Sequence, residues 1–301
     1  MRSRLCSSSC RLSLALALGL DIPAGLPVDL TASVAVGRQV GSDAGRTPDV
    51  DVPLEPARGT KIVVRGAIGE LDGLRLLLDT GTFRTVVSER VGRELGVEGT
   101  ADAMEVFGRR IPAARVALPP LRLGPIDADG LSVLVADLSG LGARLGWQPD
   151  VIVGLDVLRG HCFVVDYRAR RLRFACTDGW ASQVACDPRG PYLTAPAAID
   201  GRDHRLLIDT GSDALVIFER AAPAPRSDDR TIAAHDVAGI VRLRRFTADT
   251  FRIGSSLLRN QEVFVMPGGD EDLGFDGILG TAGLAPRVQL DLRRMVVSWT
   301  R

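Results

Sequence analysis

Two aspartates carry the chemistry that this sequence offers. Asp79 stands in Leu76-Leu77-Leu78-Asp79-Thr80-Gly81-Thr82, and Asp209 in Leu206-Leu207-Ile208-Asp209-Thr210-Gly211-Ser212. In each case three aliphatic residues read as a buried strand, and Asp-Thr-Gly at its end presents one carboxylate where the strand meets a tight turn. Gly81 and Gly211 allow a backbone geometry that a side chain would obstruct. Thr80 and Thr210 offer hydroxyls that bond locally or across to a partner loop. One such loop supplies one carboxylate, and two facing loops supply a pair. Like charges a few ångströms apart cannot both ionise cheaply, so a pair shares a proton. The protonated member then acts as acid while the ionised member acts as base toward a bound water.

The elements that must position these aspartates are written twice as well. A second apolar stretch follows each motif, Thr85-Val86-Val87 in one case and Leu215-Val216-Ile217-Phe218 in the other. Further on, Asp150-Val151-Ile152-Val153-Gly154 is matched by Asp276-Gly277-Ile278-Leu279-Gly280. After each comes an Asp that opens a hairpin-like segment, Asp166 in VVDYRARRLRF and Asp291 in QLDLRRMVVSW. Asp79 to Gly154 is 75 positions and Asp209 to Gly280 is 71, while Gly154 to Asp166 is 12 and Gly280 to Asp291 is 11. Four landmarks in the same order at nearly equal spacing mark a tandem duplication, with units at 59–178 and 188–301. Within them the apolar runs are short, rich in Val, Ile and Leu, and bounded by Gly, Asp or Pro, which are strand signals. Helical periodicity is weak except at Ser88 to Leu95, where Ser88 is placed to cap the start. The expected fold is all-β, each unit closing into a small barrel with short helices.

Two apolar-Asp-Thr-Gly-Thr/Ser motifs, each followed some 70 residues later by apolar-apolar-Gly, resemble the retropepsin-like aspartic proteases. The resemblance runs from about residue 59 to the end of the chain. It implies two β-barrel lobes related by a pseudo-twofold axis, with Ile152-Val153-Gly154 and Ile278-Leu279-Gly280 bracing the Asp loops. It also implies peptide-bond hydrolysis by water, with neither metal nor other cofactor. Carried onto this sequence, the catalytic dyad is Asp79 and Asp209. Thr80 and Thr210 brace the loops, Gly81 and Gly211 line the cleft, and Thr82 and Ser212 hydrogen-bond the outer carboxylate oxygens. The units are shorter than pepsin lobes. Pepsins carry a flap tyrosine, but Tyr167 and Tyr192 both lie outside the stretch between an Asp loop and its glycine motif. Flaps are expected at 98–110 and 234–246.

Composition narrows the remaining choices. The 301 residues carry 37 basic and 37 acidic side chains, so nothing electrostatic points to nucleic acid or an anionic membrane. Arg2, Arg4 and Arg11 precede the largely apolar run Leu12 to Leu20, which makes 1–20 resemble an export signal; a run of nine residues is far short of the roughly 20 that span a bilayer. Residues 21–58 read as a linker or pro-segment. A soluble, exported monomer is therefore expected, its lobes pairing within one chain around a peptide or protein substrate. Cys162 and Cys176 lie seven residues either side of a turn near Ala169, so a cross-strand disulfide and three buried thiols (with Cys186) both remain open. No Cys or His grouping has metal-ligand spacing.

His161, His204 and His235 lack a neighbouring nucleophile motif, and no Gly-x-Ser-x-Gly elbow is present. Asp150 and Asp276 read as turn residues that support the Asp loops. Arg168 to Arg173 reads as an exposed hairpin tip. Two other readings compete with the peptidase. One is a catalytically silent module that holds an extended peptide in the same cleft. In the other, each unit pairs with a second chain instead of with its sequel.

Overall fold

The computed structural model describes residues 49–106, 109–225, 229–236, 239–268 and 273–300. The signal-like run, most of 21–58 and the tips of both expected flaps (107–108 and 237–238) lie outside the described residues.

The strands of the first half are β1 (Val50–Pro53), β2 (Val63–Ile68), β3 (Leu71–Leu78), β4 (Val86–Ser88), β5 (Thr100–Val106), β6 (Arg109–Ala117), β7 (Leu121–Leu123), β8 (Ile126–Ala128), β9 (Ser132–Ala136), β10 (Val151–Val153), β11 (Cys162–Asp166) and β12 (Arg171–Phe174). Those of the second half are β13 (Ser182–Ala185), β14 (Thr194–Ile199), β15 (Arg202–Asp209), β16 (Leu215–Phe218), β17 (Arg230–Asp236), β18 (Gly239–Ile253), β19 (Ser256–Met266), β20 (Gly277–Gly280), β21 (Arg287–Asp291) and β22 (Val296–Trp299). The chain is thus built of strands, as its short Val-, Ile- and Leu-rich runs require.

In the second half the order β14-β15-β20-β16-β19-β18 closes on itself through β14–β18 pairing, giving a six-stranded barrel. The first half repeats the order as β2-β3-β10-β4-β9-β6, with β7 and β8 completing the turn against β2. The single long strands β18 and β19 correspond to the broken pairs β6/β7 and β8/β9. Pro119 and Pro120 lie in the first break, where their missing N–H groups interrupt the ladder. The hairpin turns of the two copies, Gly124-Pro125 and Gly254-Ser255, fall 45 residues after Asp79 and Asp209 respectively.

A third, six-stranded sheet, β1-β12-β11-β21-β22-β13, joins the halves. At its centre β11 and β21 run antiparallel with Val164 opposite Gln289, and the pseudo-twofold axis passes there. Asp166 and Asp291 open the two outer hairpins as expected, each accepting backbone N–H groups of its turn. The left-handed residue sits at the same place in both turns, Arg170 and Met295. The edge strand β1 lies inside the 21–58 segment that reads as connective. Its four residues are too few for a visible period, and it is held to β12 by backbone pairing and by Asp51–Arg171 and Asp49–Arg173 ion pairs.

Alternation along the Asp-bearing strands sorts the core. Leu76 and Leu78 of β3 and Leu206 and Ile208 of β15 enter one apolar cluster shared by both lobes, while Leu77 and Leu207 enter separate clusters within each lobe. Helix α1 (Glu89–Glu94) starts where expected, with the Ser88 hydroxyl accepting the Val91 N–H at its cap. Helix α2 (Ser139–Leu145) was not legible in the sequence, because its two glycines dilute any apolar stripe.

Candidate active site

Each aspartate sits at the end of a strand that is braced from the side. Strand β10 runs parallel to β3 with Val153 beside Leu78, and β20 runs parallel to β15 with Gly280 beside Asp209. The Asp79 N–H donates to the Val153 carbonyl at 3.0 Å. The apolar-apolar-Gly motifs end in glycine for a steric reason. A Cβ on Gly154 would meet the Thr82 carbonyl at 2.9 Å, and one on Gly280 would meet the Ser212 carbonyl at 2.5 Å. The outer arm of each Asp loop thus crosses directly over its glycine. Asp150 and Asp276 serve the bracing strands symmetrically, accepting the backbone N–H of Arg75 at 2.8 Å and of Arg205 at 2.9 Å. Their other oxygens bond Arg90 and Arg220, so both are structural, as expected.

The two loops meet through a reciprocal clasp. The Thr80 N–H donates to Thr210 Oγ1 at 3.0 Å, and the Thr210 N–H to Thr80 Oγ1 at 3.1 Å. Each hydroxyl then donates across the interface, Thr80 to the Ile208 carbonyl at 2.8 Å and Thr210 to the Leu78 carbonyl at 2.9 Å. All four bonds are buried, so each replaces a desolvated donor or acceptor that would otherwise be orphaned. The clasp brings the strand ends so close that a Cβ on Gly211 would lie 2.7 Å from the Asp79 carboxyl carbon. The two aspartate loops therefore face each other within one chain.

Inside this clasp Asp79 and Asp209 are 0% and 1% exposed, and each carboxyl bears on the other's titration. Asp79 Oδ1 accepts the Gly81 N–H at 2.8 Å, and Asp209 Oδ1 accepts the Gly211 N–H at 2.6 Å. Burial raises the Asp79 pKa to about 6, against the opposing pull of the neighbouring Asp209 and Thr82 groups, the Gly81 N–H and the Lys61 charge. Asp209 is raised well above the ordinary carboxylate range, first by burial and then by the charge of Asp79. The pair thus holds one proton across a range where isolated aspartates hold none.

The flanking hydroxyls are not equivalent. Thr82 lies beside Asp79 and favours its ionised form, though neither Thr82 Oγ1 nor Asp79 Oδ2 has a well-aligned protein partner among the described residues. Ser212, expected on the outer oxygen of Asp209, is turned away. Its Oγ exchanges 3.3 Å contacts with the Ala214 N–H and carbonyl, because the tight turn after Gly211 offers nearer backbone partners.

Three neighbours escaped the sequence reading. Lys61, 2% exposed, donates to the Gly211 carbonyl and to Asp213 Oδ2, each at 2.7 Å. Thr60 donates its N–H to the other oxygen of Asp213 at 2.9 Å and its hydroxyl to the same atom. Tyr167 bonds Thr281 at 2.6 Å, just beyond the bracing glycine Gly280. One cue for Lys61 was present: of the 37 basic residues it is the single lysine, the other 36 being arginine. Cys162 and Cys176 are joined as a disulfide with Cα atoms 5.6 Å apart, leaving Cys186 as a buried free thiol. This resolves the choice that spacing left open.

The family model described as aspartyl protease matches residues 64–157 and 195–282, together more than half of the 301 residues, and each match spans one Asp-Thr-Gly loop and its bracing glycine strand. The chain belongs to that family, in the retropepsin-like, tandemly duplicated form. A search of curated proteins finds no significant match. No helix of the described residues is long and apolar enough to cross a membrane.

Proposed function

We propose that this protein is an exported aspartic endopeptidase, hydrolysing peptide bonds with a water activated between Asp79 and Asp209. The observation that carries the reading is the buried Thr80–Thr210 clasp, which holds two intact carboxyls against each other in one proton-sharing pair. An extended substrate lies in the cleft under the hairpins β5–β6 and β17–β18, held by strand-like backbone bonds. Ionised Asp79 takes a proton from the water as its oxygen adds to the scissile carbonyl carbon, while Asp209 gives its proton to the carbonyl oxygen. The C–N bond of the tetrahedral diol then breaks as Asp79 gives its proton to the leaving nitrogen and a diol hydroxyl gives its proton to Asp209, which restores the starting protonation of the dyad. Phe83, which packs against the separate apolar clusters of both lobes, gives the cleft an apolar wall beside the dyad. The Cys162–Cys176 disulfide supports the exported setting, since such bonds persist in oxidising compartments.

The complete burial of both carboxyls favours one other reading, a closed module that holds peptide without cleaving it. Digestion of a diverse peptide library from pH 3 to 8 separates the two. Cleavage by the wild type, blocked by a pepstatin-type mimic and absent in Asp209→Asn, is the expected result. Peptide binding that is equal in wild type and variant, with no cleavage by either, would establish the silent module.

A further inference from the structure

Besides the flanking hydroxyls, the two lobes differ around the dyad in the segment that enters each barrel. In the first lobe the segment entering β2 is Gly59-Thr60-Lys61-Ile62, and in the second the segment entering β14 is Gly190-Pro191-Tyr192-Leu193. Their equivalence follows from the ladder: Ile62 and Leu193 accept the N–H groups of Leu78 and Ile208, which are the residues just before each aspartate. Each segment approaches the Asp loop of the opposite lobe at the fourth residue past the aspartate. From the first lobe the contact is ionic, Lys61 to Asp213. From the second it is apolar, Tyr192 sharing a cluster with Phe83.

We propose that Lys61 is a positioning residue that clamps the Asp209 loop from the opposite lobe and sets one buried positive charge near the dyad. It reaches from one lobe into the other and fixes the Gly211–Asp213 arm, whose Gly211 N–H in turn holds Asp209. This rests on the peptidase reading for its kinetic consequence, but the geometry is independent of it. The Lys61 ammonium joins two acceptors, the Gly211 carbonyl and Asp213 Oδ2, each 2.7 Å from its one nitrogen, with its side chain 1% exposed. A chain that otherwise uses only arginine for its permanent cations uses lysine here. Asp213 is fully engaged by Lys61 and Thr60.

The charged and titratable groups around the dyad sort simply. Lys61 favours the ionised form of both aspartates. Asp213 stands behind it and offsets part of its charge. Asp156 is bonded to the N–H and hydroxyl of Thr85, with Arg84 nearby. Tyr167 is kept neutral by burial and bonded to Thr281. Removing the Lys61 charge therefore raises the pH at which the dyad takes up its proton, and removing the Asp213 charge while keeping Lys61 lowers it.

The test is the pH dependence of kcat/KM for wild type, Lys61→Met, Asp213→Asn and Lys61→Arg. The expected result is an acid limb displaced by about one pH unit in opposite directions in the first two variants, a size set by one charge at short range in a partly screened site. In Lys61→Arg the limb stays in place while kcat falls, because the charge remains and the one-nitrogen geometry is lost. An equal loss of activity in all three with unmoved limbs would overturn the proposal and leave a purely structural clamp. If the wild type cleaves nothing, the peptidase reading fails but the same displacements are read from the pH dependence of unfolding, which needs no substrate. If the variants do not fold, wild-type Lys61 is read by reductive methylation. Protection of this single lysine until global unfolding supports the clamp, and methylation at a native-state rate overturns it.

Discussion

At the scale of the residue, the dyad's behaviour follows from burial acting on two like charges. Lowering the pH through about 6 protonates Asp79 and removes the base, so kcat/KM falls about tenfold for each further pH unit. A rate profile that stays flat down to pH 4 would contradict this assignment. The same shift has a consequence for stability. Both aspartates have folded-state pKa values above their ordinary value near 3.8, so the folded protein binds more protons than the unfolded chain between that pH and its own pKa. Stability is therefore highest in acid, relative to this pair, and is lost as the pH rises through about 6. Asp209→Asn keeps the hydrogen-bonding shape and removes the need for the folded state to hold a proton that the unfolded chain releases. It abolishes cleavage yet stabilises the fold at pH 7 by about 1–3 kcal/mol, with little difference at pH 4. Urea unfolding at the two pH values checks both statements, and a destabilised variant at pH 7 would show that folding imposes no proton uptake on Asp209.

At the scale of the element, the site depends on strands that arrive in register and on glycines that let loops cross them. Thr210→Val keeps the side-chain volume but leaves the Thr80 N–H and the Leu78 carbonyl buried without partners. That costs about 2–4 kcal/mol by the penalty for two orphaned groups, measurable as a lower denaturation midpoint with an unchanged slope. Gly280→Ala pushes a methyl into the Ser212 carbonyl 2.5 Å away and displaces the Asp209 loop, so activity falls more than stability does. A variant with full kcat would show that the loop tolerates the shift. These elements were legible because strand and turn write their requirements locally. Three aliphatics, Asp-Thr-Gly and a later apolar-apolar-Gly each describe one short stretch, and the duplication states them twice. Lys61 and Ser212 were not legible, for a common reason. What each side chain bonds is decided by geometry that neither sequence neighbourhood contains: a carbonyl 150 positions away for Lys61, and the exact course of a turn for Ser212. Strand β1 was missed because its four residues pair only with a hairpin far downstream.

At the scale of the whole molecule, the duplicated halves are not independent domains joined by a tether. One apolar cluster runs from Leu54 in the first half to Trp299 in the second, and the sheet centred on β11 and β21 takes strands from both. The clasp adds four buried bonds between them. Separating the lobes therefore exposes core as well as surface, and neither half retains a complete core alone. The expected outcome is one calorimetric transition, with matching calorimetric and van't Hoff enthalpies. The disulfide gives a way to test this from one side only. It closes a loop of sequence separation 14 within the first half, yet Cys162 also pairs with Asp291 of the second half across the central sheet. Reducing it loosens the unfolded chain by about 3 kcal/mol, and cooperative coupling passes that loss to the entire molecule. The single transition should move down by several degrees without splitting. Two resolved transitions, or a shift confined to one of them, would mean that the lobes unfold separately and that the central sheet does not couple them.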